Sequence, residues 1–235
     1  RVARHPRGRV VTPYYEDDLV TLYHGDCLEH PELWTCADVL VTDPPYGIAW
    51  EQPAYLTKGR SSGNRSKAQP GIQNDHDTGA RDAALVLWGE KPALVFGAVE
   101  LMPPNTKRTL VWRKPADSGL FGSSIWRKDW EPIFMCGKWP QMPATESSVV
   151  ETAHGSHREY AQGVHPHAKP IDTLQRLITK CPPGTIADPF MGSGSTIRAA
   201  KNLGRKAIGV EIDERYCEIA ARRLGQEVLD FGAAS

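Results

Sequence analysis

No apolar run in this chain approaches the ~18–20 residues that cross a bilayer, so no membrane span is expected. No basic segment followed by an apolar stretch opens it either, and no secretory signal is read. Cysteine is sparse: Cys27, Cys36, Cys136, Cys181 and Cys217 are odd in number and contain no CxxC pair. They read as reduced thiols of a cytosol-like compartment, which excludes a disulfide framework or a zinc knuckle. Net charge is absent too, with 28 basic against 28 acidic residues, and this argues against an architectural nucleic-acid binder. No internal repeat is visible. Present beyond the usual share are glycine (21) and proline (19), the mark of long loops around a compact core. Apolar residues at 40% and charged residues at 24% are ordinary globular usage and exclude collagen and wholesale disorder. At 235 residues the expectation is a single domain, 1–235.

The charge is unevenly spread. Arg1–Arg9 holds four arginines and no acid, and Pro53–Pro70 holds Lys58, Arg60, Arg65 and Lys67, again without an acid. Lys107, Arg108, Arg113 and Lys114 flank an apolar run. Such clusters suit a phosphate-facing surface, and equally suit solvated loops.

Leu19–Tyr23 and Val39–Thr42 read as buried strands ended by Gly25-Asp26 and by Asp43-Pro44-Pro45. Residues 51–80 lose that pattern and form a Gly/Ser-rich basic loop. A helix over Ala80–Gly89 and strands at Ala93–Ala98, Thr109–Trp112 and Pro132–Cys136 follow. Residues 138–165 are again polar and irregular, a candidate small recognition insert. Further on, helix Ile171–Lys180, strand Thr185–Ala187, helix Ile197–Leu203, strand Ala207–Ile212 and helix Arg215–Leu224 make a βαβ unit. The class is therefore α/β, with a doubly wound, mostly parallel sheet.

Between the last two strands lies Asp188-Pro189-Phe190-Met191-Gly192-Ser193-Gly194-Ser195-Thr196. A Gly-x-Gly turn lets a ligand approach the backbone at the carboxyl edge of the sheet. The third glycine of the dinucleotide fingerprint is missing; Ile197 stands there. Asp188 would repel a pyrophosphate and attract a cation, while Glu211, at the end of the next strand, suits ribose hydroxyls. A nucleoside with a positive tail and no phosphate fits best, and S-adenosylmethionine is such a molecule. The bland alternative is a packing turn in an empty sheet.

The tetrapeptide Asp43-Pro44-Pro45-Tyr46 follows a buried strand. Two prolines remove two N–H donors, so the turn offers acceptors only. An exocyclic amine, with two N–H bonds to give, matches it. Hydrogen bonds to Asp43 and the Pro44 carbonyl would favour the pyramidal nitrogen that attacks a sulfonium methyl. Tyr46 would then stack on a base turned out of its helix. A strand-ending turn with Tyr46 in the core is the alternative.

These two motifs, in this order, resemble the DNA amino-methyltransferases of adenine N6 and cytosine N4, in the arrangement of their beta group. Tyr23-His24-Gly25-Asp26, His165-Pro166-His167-Ala168-Lys169-Pro170 and Gly209-Val210-Glu211-Ile212-Asp213 agree, so the resemblance covers about residues 19–50 and 165–224. It implies a Rossmann-like S-adenosylmethionine-dependent methyltransferase of permuted topology, with the first two strands adjoining the last two. By the same resemblance Asp43, Pro44, Pro45 and Tyr46 are catalytic. Asp188, Pro189, Phe190, Gly192, Ser193, Gly194 and Thr196 surround the cofactor's methionine part, with Glu211 on its ribose and Asp26 near its adenine. Asp26 and Glu29 also have capping-box spacing. Lys169 is placed at the methionine carboxylate, although the family often has Gln where Ala168 stands, and an exposed lysine beside Pro170 is the other reading.

No cysteine follows a proline, which excludes the cytosine C5 enzymes. His154, His157, His165 and His167 lack the partners of a zinc site, and no metal is expected. The expected activity is transfer of a methyl group to adenine N6 in double-stranded DNA, since Asp as first residue of the tetrapeptide favours adenine by family tendency. Cytosine N4, RNA or a protein amide as acceptor, and a non-catalytic DNA- or cofactor-binding subunit of the same fold, are the alternatives. Lys58, Arg60, Arg65 and Lys67 are assigned to DNA phosphates, and residues 138–165 to base edges. A homodimer, a cognate restriction endonuclease and a cytoplasmic, nucleoid-associated location in a prokaryote or phage complete the expectation.

Overall fold

The computed structural model describes residues 11–47, 76–114, 125–141, 146–152 and 168–226. Runs of Val, Leu, Ala and Phe become interior strands because both of their faces find apolar cover. In β3 (Val39–Thr42), Val39 and Val41 enter one core cluster and Leu40 the other. β4 (Ala93–Phe96) divides in the same way, with Leu94 and Phe96 opposite Ala93 and Val95. Strands apolar on both faces require a sheet covered on both sides.

The other strands are β1 (Tyr15–Glu16), β2 (Val20–His24), β5 (Thr106–Arg113), β6 (Trp130–Cys136), β7 (Val149–Glu151), β8 (Ile186–Asp188) and β9 (Ala207–Glu211). The helices are α1 (Gly79–Trp88), α2 (Ile171–Thr179), α3 (Ser195–Asn202) and α4 (Glu214–Gly225). The strands make one sheet in the order β1-β2-β9-β8-β3-β4-β6-β5-β7. β2, β9, β8, β3 and β4 run parallel, and β6 is antiparallel to both of its neighbours. The last two strands of the chain therefore lie between two of its first, which is the permuted topology expected. Turns far apart in sequence, after β2, β9, β8 and β3, leave the sheet at one carboxyl edge.

Helices α2, α3 and α4 cover one face through residues such as Leu174, Ile178, Ile197, Ala200, Cys217 and Leu224. The other face is covered by Ala84 and Trp88 of α1 and by Leu33 and Trp34. Trp34 is fully buried, stacks on Trp88 with ring centroids 5.9 Å apart, and donates its indole N–H to the Cys27 carbonyl at 2.9 Å. The satisfied donor is what lets so large a side chain enter the core without an unpaired polar group.

Several elements differ from the sequence reading. β5 starts at Thr106 rather than Thr109, because pairing with β6 carries the polar Thr106–Arg108 segment into the ladder through a bulge. β7 lies within the stretch read as irregular. Its polar neighbours hid it, yet Val150 is buried and Val149–Glu151 pairs with β5. The capping-box spacing at Asp26 opens no α-helix: Asp26 Oδ1 accepts the Leu28 N–H in a turn, and a short 3-10 turn follows at Pro31–Leu33. All five cysteines are unbridged thiols. Among the described residues no helix is long and apolar enough to cross a membrane. Lys58, Arg60, Arg65, Lys67 and His154–His167 lie outside the described residues.

Candidate active site

Across the sheet, four neighbouring strands each deliver a carboxylate to the carboxyl edge. Asp26 follows β2, Glu211 ends β9, Asp188 ends β8 and Asp43 follows β3. The Gly25 N–H donates to the Glu211 carbonyl at 2.9 Å, and Thr42 Oγ1 donates to Asp188 Oδ1 at 2.7 Å. The same groups act on the buried Cys27 thiol. Burial, then Asp26, and further Glu211 and Asp188, push it up to about 12. Such an edge disfavours phosphate and favours a cationic ligand.

The glycine-rich turn is built around two of these acids. Gly192 has φ of +51° and Gly194 of +80°, a region L side chains rarely adopt. A Cβ on Gly194 would lie 2.9 Å from the Ala220 Cβ, so this glycine admits close packing of α4. One on Gly192 would meet nothing within 4 Å, so its backbone borders open space. Glu211 accepts the Gly192 N–H at 2.9 Å through Oε2 and the Asp213 N–H at 2.8 Å through Oε1. Each oxygen keeps a lone pair for a further donor, as a ribose diol would require. Burial raises the Glu211 carboxyl above its usual range, against the pull of those N–H bonds.

Asp188 is buried, and desolvation lifts its carboxyl from 3.8 to about 7. Hydrogen bonds from the Thr42 and Thr196 hydroxyls and the Phe190 N–H act in the opposite direction. Among the described residues no cationic side chain forms an ion pair with it. A buried acid with no counter-ion among the described residues, a propped acceptor for hydroxyls and open space over Gly192 together fit S-adenosylmethionine. Ser193 has a packing task as well, its carbonyl accepting from Arg223 at 2.8 Å.

Beside this region Asp43 stands in a network of charges. Its Oδ1 accepts the Tyr46 hydroxyl at 2.7 Å and its Oδ2 accepts the Lys169 ammonium at 2.7 Å. Lys169 Nζ also lies 3.1 Å from the Tyr46 hydroxyl and 3.3 Å from Glu131 Oε2. Glu131 Oε1 in turn binds Lys114 Nζ at 2.6 Å. Burial works against the Lys169 charge, yet Asp43, Tyr46 and Glu131 hold it well above the usual lysine range. Glu131 is likewise disfavoured by burial and is held below its usual value by Lys169 and Lys114. Burial and the Asp43 carboxylate keep the Tyr46 phenol protonated.

The structure thus brings Asp43, Pro44, Pro45 and Tyr46 to the same edge as Asp26, Asp188, Pro189, Phe190, Gly192, Ser193, Gly194, Thr196 and Glu211. Lys169 stands differently from the sequence reading: a buried ammonium needs a counter-ion, and its partners are Asp43 and Glu131. Glu131 was not read from sequence, and Lys114 was read only as one of a basic cluster suited to phosphates. The signal was present, since Glu131 is a lone acid in the apolar run of β6 and Lys114 directly follows β5. Among the described residues no group of three or more His, Cys, Asp or Glu is placed to hold a metal ion.

A family described as DNA methylase, comprising N6 and N4 methyltransferases, matches residues 101–222. That stretch includes Glu131, Lys169, the glycine-rich turn and Glu211, and stops short of Asp43. The type II methyltransferase M.ScaI of Streptomyces caespitosus is 27% identical over 92% of this chain and 84% of its own. Type II methyltransferase M2.MboI of Moraxella bovis is 23% identical over 91% of each. Among solved structures, the cytosine-N4-specific PvuII DNA methyltransferase superposes with a TM-score of 0.63 at 15% identity, over 93% of this chain and 91% of that one. M1.HpyAVI in complex with S-adenosylmethionine gives 0.58 at 20% identity, over 87% and 100%. With half of its length matched and the fold shared, the chain belongs to the DNA amino-methyltransferases, whose methyl donor is S-adenosylmethionine.

Proposed function

We propose that the protein methylates the exocyclic N6 of adenine at particular sequences in double-stranded DNA, acting on a base turned out of the helix. The observation that carries this reading is the Thr42–Asp188 hydrogen bond of 2.7 Å. It joins the root of the acceptor-only turn to the root of the glycine-rich turn, so amine and cofactor can meet. In this reading Asp188, Pro189, Phe190, Gly192, Ser193, Gly194 and Thr196 surround the methionine part of the cofactor. Glu211 takes the ribose and Asp26 lies by the adenine. When bound, S-adenosylmethionine supplies a methyl group on a positively charged sulfur.

The chain's own contribution is placement. Pro44 and Pro45 offer no N–H, so Asp43 and the Pro44 carbonyl confront the amine as acceptors. Accepting both N–H bonds withdraws the nitrogen lone pair from the ring and aims it. The Tyr46 ring, tied to Asp43 through its hydroxyl, provides the stacking face. Asp43 is also the acceptor in place for the proton that the nitrogen must lose. Adenine rather than cytosine rests on aspartate as the first residue of the tetrapeptide. Phosphate contacts by Lys58, Arg60, Arg65 and Lys67 belong to the same proposal.

Mass spectrometry of nucleosides from amplified, unmethylated genomic DNA, treated with protein and methyl-labelled cofactor, tests the proposal. Labelled N6-methyladenine is expected; labelled N4-methylcytosine would overturn the choice of base. Glu211→Ala should raise the cofactor Kd by roughly 10- to 150-fold for each charge-assisted bond of about 1.5–3 kcal/mol that water does not replace, and leave DNA affinity unchanged. Calorimetry decides this, and an unchanged Kd would assign the ribose to another residue.

A further inference from the structure

Lys169 stands where the target amine is expected to bind. Its Nζ donates to Asp43 Oδ2 at 2.7 Å, while the other oxygen of Asp43 already accepts from Tyr46. An amine arriving at Asp43 must therefore compete with an ammonium. We propose that Lys169 is a placeholder for the target amine, and that Glu131 is the positioning residue that draws it aside when the base enters. The inference rests on the reading of Asp43 as the amine's acceptor.

The geometry provides the route. A buried ammonium cannot leave its counter-ion at small cost, and the Lys169 side chain is only 8% exposed. Glu131 Oε2, 3.3 Å from the same nitrogen, is a second carboxylate within a short shift. The Tyr46 hydroxyl lies 3.1 Å from the nitrogen and 3.3 Å from Glu131, so it can stay in contact during the exchange. The faces of Phe96, Tyr46 and Trp112, with centroids 5.1, 5.5 and 5.7 Å away, give the cation a favourable wall. Lys114 holds the other oxygen of Glu131 at 2.6 Å. Asp43, Glu131, Lys169 and Lys114 sum to zero charge, and the shift leaves that sum unchanged.

Glu131→Gln keeps the shape and removes the charge that attracts Lys169. Single-turnover methyl transfer to amplified genomic DNA should fall tenfold or more, with cofactor and DNA Kd within about threefold of wild type. The double variant Glu131→Gln/Lys169→Met removes the competitor and restores neutrality, and should transfer at least tenfold faster than Glu131→Gln alone. A merely structural role for Glu131 predicts no such recovery. The proposal is overturned if Glu131→Gln transfers at the wild-type rate, or if the double variant is no faster than it. Should Glu131→Gln lose cofactor binding, and so fail to fold, Lys169→Arg decides. A guanidinium forked onto Asp43 should slow transfer tenfold or more, and a wild-type rate overturns the proposal. Asp43→Ala separates the two levels: if it keeps transfer, the reading of Asp43 has failed. If it is inactive while the recovery is absent, only the placeholder has failed.

Discussion

Asp43→Ala is expected to lower methyl transfer by roughly 10²–10³-fold or more while S-adenosylmethionine binds within a few-fold of wild type. The two effects separate because the acids at the edge fall into two groups. Asp188 and Glu211 hang on the glycine-rich turn through their own backbone and hydroxyl bonds, none of which involves Asp43. Asp43 is bound instead to Tyr46 and Lys169. Its removal does not strand the buried ammonium, since Glu131 remains 3.3 Å away, so the fold should survive. What is lost is an acceptor present when the nitrogen changes geometry, an effect on kcat more than on binding. Calorimetry with the cofactor and a labelled-methyl assay measure the two quantities. Transfer within tenfold of wild type would remove Asp43 from the chemistry.

The second large effect concerns Asp188 and pH. Its carboxyl titrates at about 7 in the fold, against 3.8 for an ordinary aspartate, chiefly because burial penalises the charge. The folded state thus holds this proton more tightly than the unfolded state. Between about pH 4 and 7 the contribution to stability falls as pH rises, and above pH 7 the full cost of roughly 4 kcal/mol remains. Asp188→Asn keeps an acceptor for Thr42 and Phe190 and has no charge to bury. The free variant should be more stable than wild type above pH 7 by a few kcal/mol, with this pH dependence removed. Denaturant unfolding at pH 5 and pH 8 measures it, and equal stabilities of wild type and variant at pH 8 would contradict it.

The same residue should cost the variant its ligand. If Asp188 pairs with the positive tail of the cofactor, binding requires the ionised carboxylate. The wild-type Kd should then rise by up to tenfold per pH unit as pH falls below about 7. In Asp188→Asn that dependence should vanish and the Kd at pH 7.5 should be at least tenfold higher. A carboxylate that weakens the empty fold and strengthens the complex is a site in which stability has been exchanged for function. A wild-type Kd that stays constant between pH 6 and 7.5 would detach Asp188 from the cofactor's cation.

Much of this was legible in the chain itself because it is local. Strand, turn and helix around Asp188–Thr196 follow from a short apolar run, two glycines and a helical spacing, all within a few residues. The acceptor-only character of Asp43-Pro44-Pro45-Tyr46 is a property of proline and needs no fold to be read. The buried strands β3 and β4 announce themselves by being apolar on both faces. β7 did not, because three residues between polar neighbours carry no period; its strand character comes from Trp112 and β5, which it covers.

The sequence alone thus determined the fold class and the two motifs, and with them the kind of ligand each is proposed to accept, since those depend on neighbours in the chain. Tertiary structure decided which charges meet. Lys169 reaches Asp43 across 126 positions, and Glu131 and Lys114 join them from a hairpin that no local pattern connects to either motif. A buried charge takes its partner from whatever the sheet order sets beside it, and the strength of that pairing grows as water is excluded. Composition cannot express that choice; only the packing of β3, β5, β6 and the approach to α2 makes it.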